Sequence, residues 1–266
     1  MTRRSAASVP DVEVVAGGDI PAGARAEAKA KIAALGEYTD EPILHCRVRL
    51  SRSYDLAVAR PVIAQGNLDV NGRMLRAQVA ADNAHEAVAL LETRLRRQLA
   101  RMARHWEARR GAMPEATPHE WRHKAEPTHR PDFYPRPEQA RQIVRHKTYE
   151  PARATPEEAA FDLDMLDYDF QLFTDAESGQ DSVIYHAGPT GYRLAHLTPD
   201  PIRTWSTALP LTFSERPAPR LTLAEAVQRL DATGLRFLFF AEPASGRGQV
   251  LYRRHDGHYG LITPAS

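Results

Sequence analysis

The sequence has a single cysteine, Cys46, among its 266 residues. That excludes an internal disulfide framework and a cysteine-based zinc cluster. Long apolar runs are also missing. The longest, Leu235 to Ala241, is broken by Arg236, whereas a membrane-spanning helix needs about 18 consecutive apolar residues or more. No apolar stretch follows Arg3 and Arg4, so the start does not read as a secretory signal. There is no Gly-rich phosphate loop, nucleophile elbow or paired-carboxylate pattern. The expectation is a cytoplasmic protein that is not an enzyme and has no cofactor, no small-molecule substrate and no membrane partner. What the chain does contain is ordinary for a globular protein, 42% hydrophobic and 26% charged residues.

Charge is unevenly spread. Residues 1–110 carry 18 Lys and Arg against 13 Asp and Glu, and residues 151–266 carry 10 against 15. A basic front and an acidic back suggest two domains with different partners, the basic one suited to a polyanion. Between them, Gly111 to Pro151 holds seven prolines, with His119, His123, His129 and His146 among them. Proline removes a backbone donor and biases the preceding residue away from helix, so residues 111–150 read as a semi-rigid linker. A short helix is allowed around Glu138 to His146. Within this stretch His119-Glu120-Trp121-Arg122-His123 matches the H-E-x-x-H zinc-protease pattern. The pattern needs a buried helix and a third ligand. Here it lies between Pro118 and Pro127 with no apolar helix to hold it, so no metal site is expected.

Residues 9–110 read as a β-α-β-β-β-α unit. Val12 to Val15 is a short strand, and alanine-rich Ala22 to Leu35 a helix stopped at Gly36. Ile43 to Arg52 alternates, with Leu44, Cys46, Val48 and Leu50 on one face and His45, Arg47 and Arg49 on the other. Strands over Pro61 to Val70 and Arg73 to Ala81 flank Asn71-Gly72, a hairpin turn whose residues tolerate positive φ. Asn83 and Glu86 then open a long helix in the manner of a capping box.

That helix has two faces. Ala84, Val88, Leu91, Leu95, Leu99 and Met102 recur at steps of three and four and form the core stripe. Arg94, Arg97, Arg101 and Arg104 recur on another side, and the neighbouring Glu92 and Glu107 do not offset them. A solvated helix face would carry such a row too. An unpaired row of guanidinium groups is, however, well matched to nucleic-acid phosphates. Arg47, Arg49, Arg73, Arg76, Lys29 and Lys31 extend it to a candidate basic surface over one side of the domain. Aromatic platforms for base stacking are missing, so shape and phosphate readout is expected.

The element order resembles the ribosome hibernation-promoting factor family. So do Ala28 to Tyr38 on the first helix and Arg94-Leu95-Arg96-Arg97-Gln98-Leu99-Ala100-Arg101 on the last. The family's basic–Leu–x–basic–Gln–Leu–x–basic pattern falls on Arg94, Arg97, Gln98 and Arg101, and its first-helix lysine on Lys31. The resemblance implies binding of the small ribosomal subunit, through 16S rRNA, and of the 70S ribosome. It also implies that the decoding region is covered and mRNA and tRNA are excluded.

Residues 151–266 contain a duplication. Shifted by 67 positions, 155–194 overlays 222–261 without a gap, with 13 of 40 positions identical. They include Thr155/Thr222, Glu158/Glu225, Asp164/Asp231, Phe170/Phe237, Phe173/Phe240, Tyr185/Tyr252 and Tyr192/Tyr259. Each copy, about 155–199 and 222–264, reads as a helix, a strand, a Ser-Gly turn and two more strands. The shared aromatics are read as core. A unit of about 45 residues is too small to hold a good core alone.

The repeat resembles the C-terminal domain of the long-form hibernation factors, most closely through Val250 to Ile262. In that family one copy per chain homodimerises and joins two ribosomes. Two copies in one chain depart from that pattern, and the first carries Gly188 to Gly191 where the second has Asp256-Gly257. The arrangement is similar to that of dormancy-linked hibernation factors of actinobacteria. The expected fold is α+β: an N-terminal β-α-β-β-β-α domain, a proline-rich linker and a C-terminal pair of small α+β repeats forming an intramolecular pseudo-dimer. The expected role is ribosome hibernation and translation inhibition under stress or dormancy, with a ribosomal protein as contact of the acidic C-terminal unit. The alternatives are a nucleic-acid-binding regulator, which would need base-reading side chains early in its helix, and a metal-dependent hydrolase built on His119 and His123.

Overall fold

The computed structural model describes residues 11–54, 58–109, 136–187, 191–199 and 209–265. They form two units. The first holds β1 (Glu13–Gly17), α1 (Ala22–Ala33), β2 (Ile43–Arg52), β3 (Val62–Val70), β4 (Arg73–Ala81) and α2 (Ala84–Arg109). The segment Asp164–Asp167 also belongs to it. The sheet order is β1-β2-β3-β4, with β1 parallel to β2 and the other pairs antiparallel.

Local chemistry explains most of these elements. Asn71 and Gly72 have φ of 52° and 83°, the double left-handed geometry of a two-residue hairpin turn. Asn83 Oδ1 accepts from the Glu86 N–H at 2.9 Å and caps α2. Val88, Leu91, Leu95, Leu99 and Met102 are buried against the sheet, as their spacing predicts. Gly66 lies under them; a Cβ there would fall 2.8 Å from Leu95 Cδ1, so its hydrogen lets α2 approach β3.

Two local expectations are corrected. The first helix does not stop at Gly36: it ends at Ala33 and tightens into a 3-10 turn over Ala34–Tyr38, with Gly36 buried inside it. In β2 a bulge between Ile43 and His45 breaks the alternation. Ile43 turns inward and Leu44 outward, 55% exposed, while Cys46, Val48 and Leu50 stay buried.

The second unit contains the duplication. Its first copy is α3 (Pro156–Met165), β7 (Phe170–Asp175), β8 (Asp181–Ala187) and β9 (Gly191–His196), preceded by β5 (Ile143–Tyr149) and β6 (Arg153–Ala154). The last residues of α3 lie with the first unit. The second copy is α4 (Leu223–Thr233), β11 (Phe237–Ala241), β12 (Gly248–Arg253) and β13 (Tyr259–Pro264), preceded by β10 (Leu211–Phe213). Both helices open with a Thr–Glu capping box, Thr155 with Glu158 and Thr222 with Glu225. Both Ser-Gly turns place glycine at positive φ, Gly179 at 68° and Gly246 at 69°.

The copies are exchanged at their edges. β5, which precedes the first copy, pairs in parallel with β13 of the second. β10, which precedes the second copy, pairs in parallel with β9 of the first. Each copy thus completes its sheet with a strand from the other's leader. Each also has its own core: Leu163, Phe173, Ile184, Tyr192 and Leu194 in one, Leu230, Phe240, Leu251, Tyr259 and Leu261 in the other. A third cluster, Leu172, Val183, Phe239 and Val250, lies between the copies. A single sheet would leave these apolar side chains in water, at a cost of about 1.5–3 kcal/mol for each large one. The expected intramolecular pairing is present within this unit.

The stretch expected to be a linker is corrected at its C-terminal end. Glu138–Ala140 is a 3-10 turn, and no helix continues to His146; Ile143–Tyr149 is instead β5. Arg145, His146, Lys147 and Thr148 are exposed and read as loop, because an edge strand presents little apolar surface. Residues 110–135, with the His119 to His123 motif, and residues 188–190 lie outside the described residues.

Candidate nucleic-acid interface

Helix α2 carries the predicted arginines beside its buried stripe. Arg97 and Arg104 are exposed. Arg94 and Arg101 are not left without acidic partners, which corrects the expectation of an unpaired row. Arg94 forms an ion pair with Asp167, and Arg101 Nη1 lies 2.7 Å from Asp164 Oδ2. The carboxylates are only 4% and 2% exposed, against 24% and 35% for the two guanidinium groups. Asp167 also accepts from the Gln78 backbone N–H at 3.0 Å, and its own carbonyl and that of Leu166 accept from Arg76 Nη1 at 3.4 Å.

Gln98 is corrected as well. It is 7% exposed rather than presented to solvent. Its Nε2 donates to the carbonyls of Arg76 at 2.8 Å, Asp164 at 3.1 Å and Met165 at 3.2 Å. Its Oε1 is buried with no hydrogen-bond partner among the described residues.

The remaining predicted residues fall on other surfaces. Cys46, Val48 and Leu50 face the helices, so Arg47 and Arg49 project from the opposite side of the sheet. The single basic surface expected for all of them is therefore divided by the sheet itself. Arg47 meets Glu13 at 3.5 Å. Lys29 pairs with Asp11 at 2.6 Å, and Lys31 with Glu27 at 2.8 Å. Glu27 also meets His85; Lys31 first and His85 second hold its carboxyl below the usual carboxylate range. Arg73 is half-buried at the start of β4. Among the described residues no group of three or more His, Cys, Asp or Glu is placed to hold a metal ion.

Comparison with known proteins decides the family. The family model for the Sigma 54 modulation/S30EA ribosomal protein C terminus matches residues 138–194 and 214–261. The dormancy associated translation inhibitor of Mycobacterium tuberculosis is 38% identical over 265 residues, 96% of this chain and 89% of that protein. This chain belongs to the long-form ribosome hibernation factor family. A ribosome hibernation promotion factor from Bradyrhizobium diazoefficiens is 42% identical over 45 residues, 17% of this chain and 22% of its own. The Thermus thermophilus Protein Y N-terminal domain is 23% identical, covering 35% of this chain and 99% of that one, with a TM-score of 0.29.

The two matched blocks of this hibernation factor coincide with the two structural copies. The first begins at the 3-10 turn that leads into β5, and the second just after β10. Sequence reasoning missed the carboxylates at 164 and 167 as part of the arginine site. The repeat carries one signal for them: Asp167 of the first copy stands where the second copy has Gly234. Both positions have left-handed φ, 51° and 64°. Aspartate at a helix-ending position suited to glycine is a local exception that asks for a contact.

Proposed function

We propose that this hibernation factor binds the small ribosomal subunit through its first unit and keeps the ribosome out of translation. The arginines of α2, Arg94, Arg97, Arg101 and Arg104, with Arg76 and Gln98 beside them, grip 16S rRNA phosphates near the decoding region. Lys29, Lys31, Arg47, Arg49 and Arg73 contribute from the flanking surfaces, and the body of the unit occupies the path of mRNA and tRNA. The action is steric and electrostatic, so no reaction is catalysed. The observation that carries the reading is the relationship, over nearly the whole chain, to a protein named for translation inhibition in dormancy. A row of guanidinium groups on one helix supports it chemically, because guanidinium forks match phosphate oxygens bidentately.

The second unit works as an internal pair. Its apolar face between copies is already covered, so one chain does not use that face to bring two ribosomes together. Its acidic surface suits a ribosomal protein better than RNA.

The test is co-sedimentation of the full chain with small subunits, large subunits and 70S ribosomes. Binding to small subunits and 70S ribosomes is expected, and the Arg97→Glu/Arg101→Glu double variant is expected to lose it while remaining folded by circular dichroism. Undiminished binding by that variant would remove the α2 row from the mechanism.

A further inference from the structure

We propose that the two tyrosines of the first unit, Tyr38 and Tyr54, are stacking platforms for unpaired bases of the ribosomal RNA. This rests on the RNA-binding role proposed for that unit and adds base contacts to its phosphate contacts.

Both rings stand outside the core. Residues 11–104 contain no phenylalanine or tryptophan and two tyrosines. The hydrophobic core of the unit is built from aliphatic side chains with Cys46 and Met102, and neither ring takes part: Tyr38 is 46% and Tyr54 73% exposed. An aromatic ring is among the largest apolar groups that a core can receive. Here both are left in water, close to cations. Two rings are few, so composition alone points to phosphate readout; their placement changes that.

Tyr54 is fixed without being covered. The Ser53 N–H donates to the Pro61 carbonyl at 2.8 Å and closes the end of the β2–β3 pair. The Tyr54 hydroxyl accepts from the Asp19 N–H at 2.9 Å, in the connection between β1 and α1. The ring is thus tied at its base and at its tip while its surface stays open. A side chain already held in one orientation loses less entropy when a ligand stacks on it. Arg52, two residues earlier, and Arg60, next to Pro61, are exposed.

Tyr38 is presented in another way. It closes the 3-10 turn Ala34–Tyr38, in which Leu35 and Gly36 are buried, and Thr39 after it is 7% exposed. Burial of these neighbours leaves its ring outward. The Arg96 guanidinium of α2 lies over that ring, 5.5 Å from its centroid, and pairs with Glu92 at 3.5 Å. Bases stack both on tyrosine rings and on guanidinium planes. Arg96 also belongs to the helix that carries the arginine row. A nucleotide brings a flat base and an adjoining phosphate, and a ring beside a guanidinium group answers both parts.

The experiment measures equilibrium binding of the full chain to purified small ribosomal subunits over a range of salt. Tyr38→Leu and Tyr54→Leu should each weaken binding about tenfold, within the usual effect of removing one stacked ring. Stacking releases no counterions, so the loss should be the same at low and high salt. Tyr38→Phe keeps the ring and should bind like the wild type. Circular dichroism checks that each variant is folded. Ultraviolet cross-linking of the wild-type complex, read by mass spectrometry, should place rRNA nucleotides on the peptides carrying Tyr38 and Tyr54. Undiminished binding by both leucine variants, equal losses for Tyr38→Phe and Tyr38→Leu, or cross-links confined to other peptides overturns the platforms and leaves the ribosome reading standing. Absence of binding by the wild type overturns both.

Discussion

Phe170 and Phe237 face each other with ring centroids 4.7 Å apart, and they are the same position of the repeat, 67 residues apart in the chain. A residue that meets its own counterpart marks a two-fold axis. The surrounding contacts obey the same operation: Tyr185 meets Phe237 at 5.2 Å, and Tyr252 meets Phe170 at 5.8 Å. The symmetry is broken at the end of the axis. Asp181 binds Arg247 through both carboxylate oxygens, at 2.8 and 3.1 Å, and accepts from the Gly248 N–H at 2.8 Å. The counterpart of Asp181 is Gly248 itself. An acidic side chain on one copy fills the space left by glycine on the other, a complementarity that two identical copies could not provide.

Replacing Phe237 with alanine should therefore destabilise the second unit by about 2–3 kcal/mol, below the about 3–5 kcal/mol usual for a fully buried phenylalanine because this ring is half-buried. Urea unfolding measures the loss. A fragment over residues 136–266, which keeps β5, should sediment as a monomer at micromolar concentration; a tight homodimer would show that the face is shared between chains.

Gly248→Ala tests the asymmetric end of the axis. Its Cβ would fall 2.7 Å from Phe239 Cε2 and 2.8 Å from Asp181 Cβ. Asp181 Cβ is fixed by its backbone, so the copies must separate slightly, at a cost of about 1–3 kcal/mol. Arg247→Ala should cost about 2 kcal/mol by leaving a buried carboxylate with fewer donors. Thermal unfolding of both variants gives these values.

Cys46 predicts an alkaline weakness in the first unit. Burial pushes its thiol from the ordinary 9.0 up to about 12. The folded chain then holds a proton that the unfolded chain releases. Stability is unaffected below pH of about 9 and declines as pH rises from there towards about 12. Denaturation curves at about pH 8 and about pH 10 should show the decline in the wild type and a smaller one in Cys46→Ala. Thiol reagents should modify Cys46 only on unfolding.

Salt separates phosphate contacts from other binding. Affinity for small subunits should fall with a logarithmic slope of about −0.7 for each phosphate neutralised. Arg97→Ala, at an exposed position of α2, should flatten that slope by about one such increment.

Much of this architecture is legible in the residues alone. The spacing of Val88, Leu91, Leu95 and Leu99 locates the buried face of α2, and the shared Phe and Tyr positions locate two cores, because burial imposes a local period on the chain. Leu44 escapes that logic through a bulge. β5 escapes it because Arg145, His146 and Lys147 carry no apolar alternation; what makes them a strand is β13, more than a hundred residues away.

The order of elements, the duplication and the clustering of arginine on one helix are all written in neighbouring residues or in a fixed shift, and so can be read before folding. The exchange of the leader strands, and the meeting of Asp167 and Asp164 with Arg94 and Arg101 from 73 and 63 residues away, arise only in the folded chain. Ion pairs between distant segments leave no periodic trace along the chain. They depend on how two surfaces meet, and charge alone does not specify which carboxylate a guanidinium group will find.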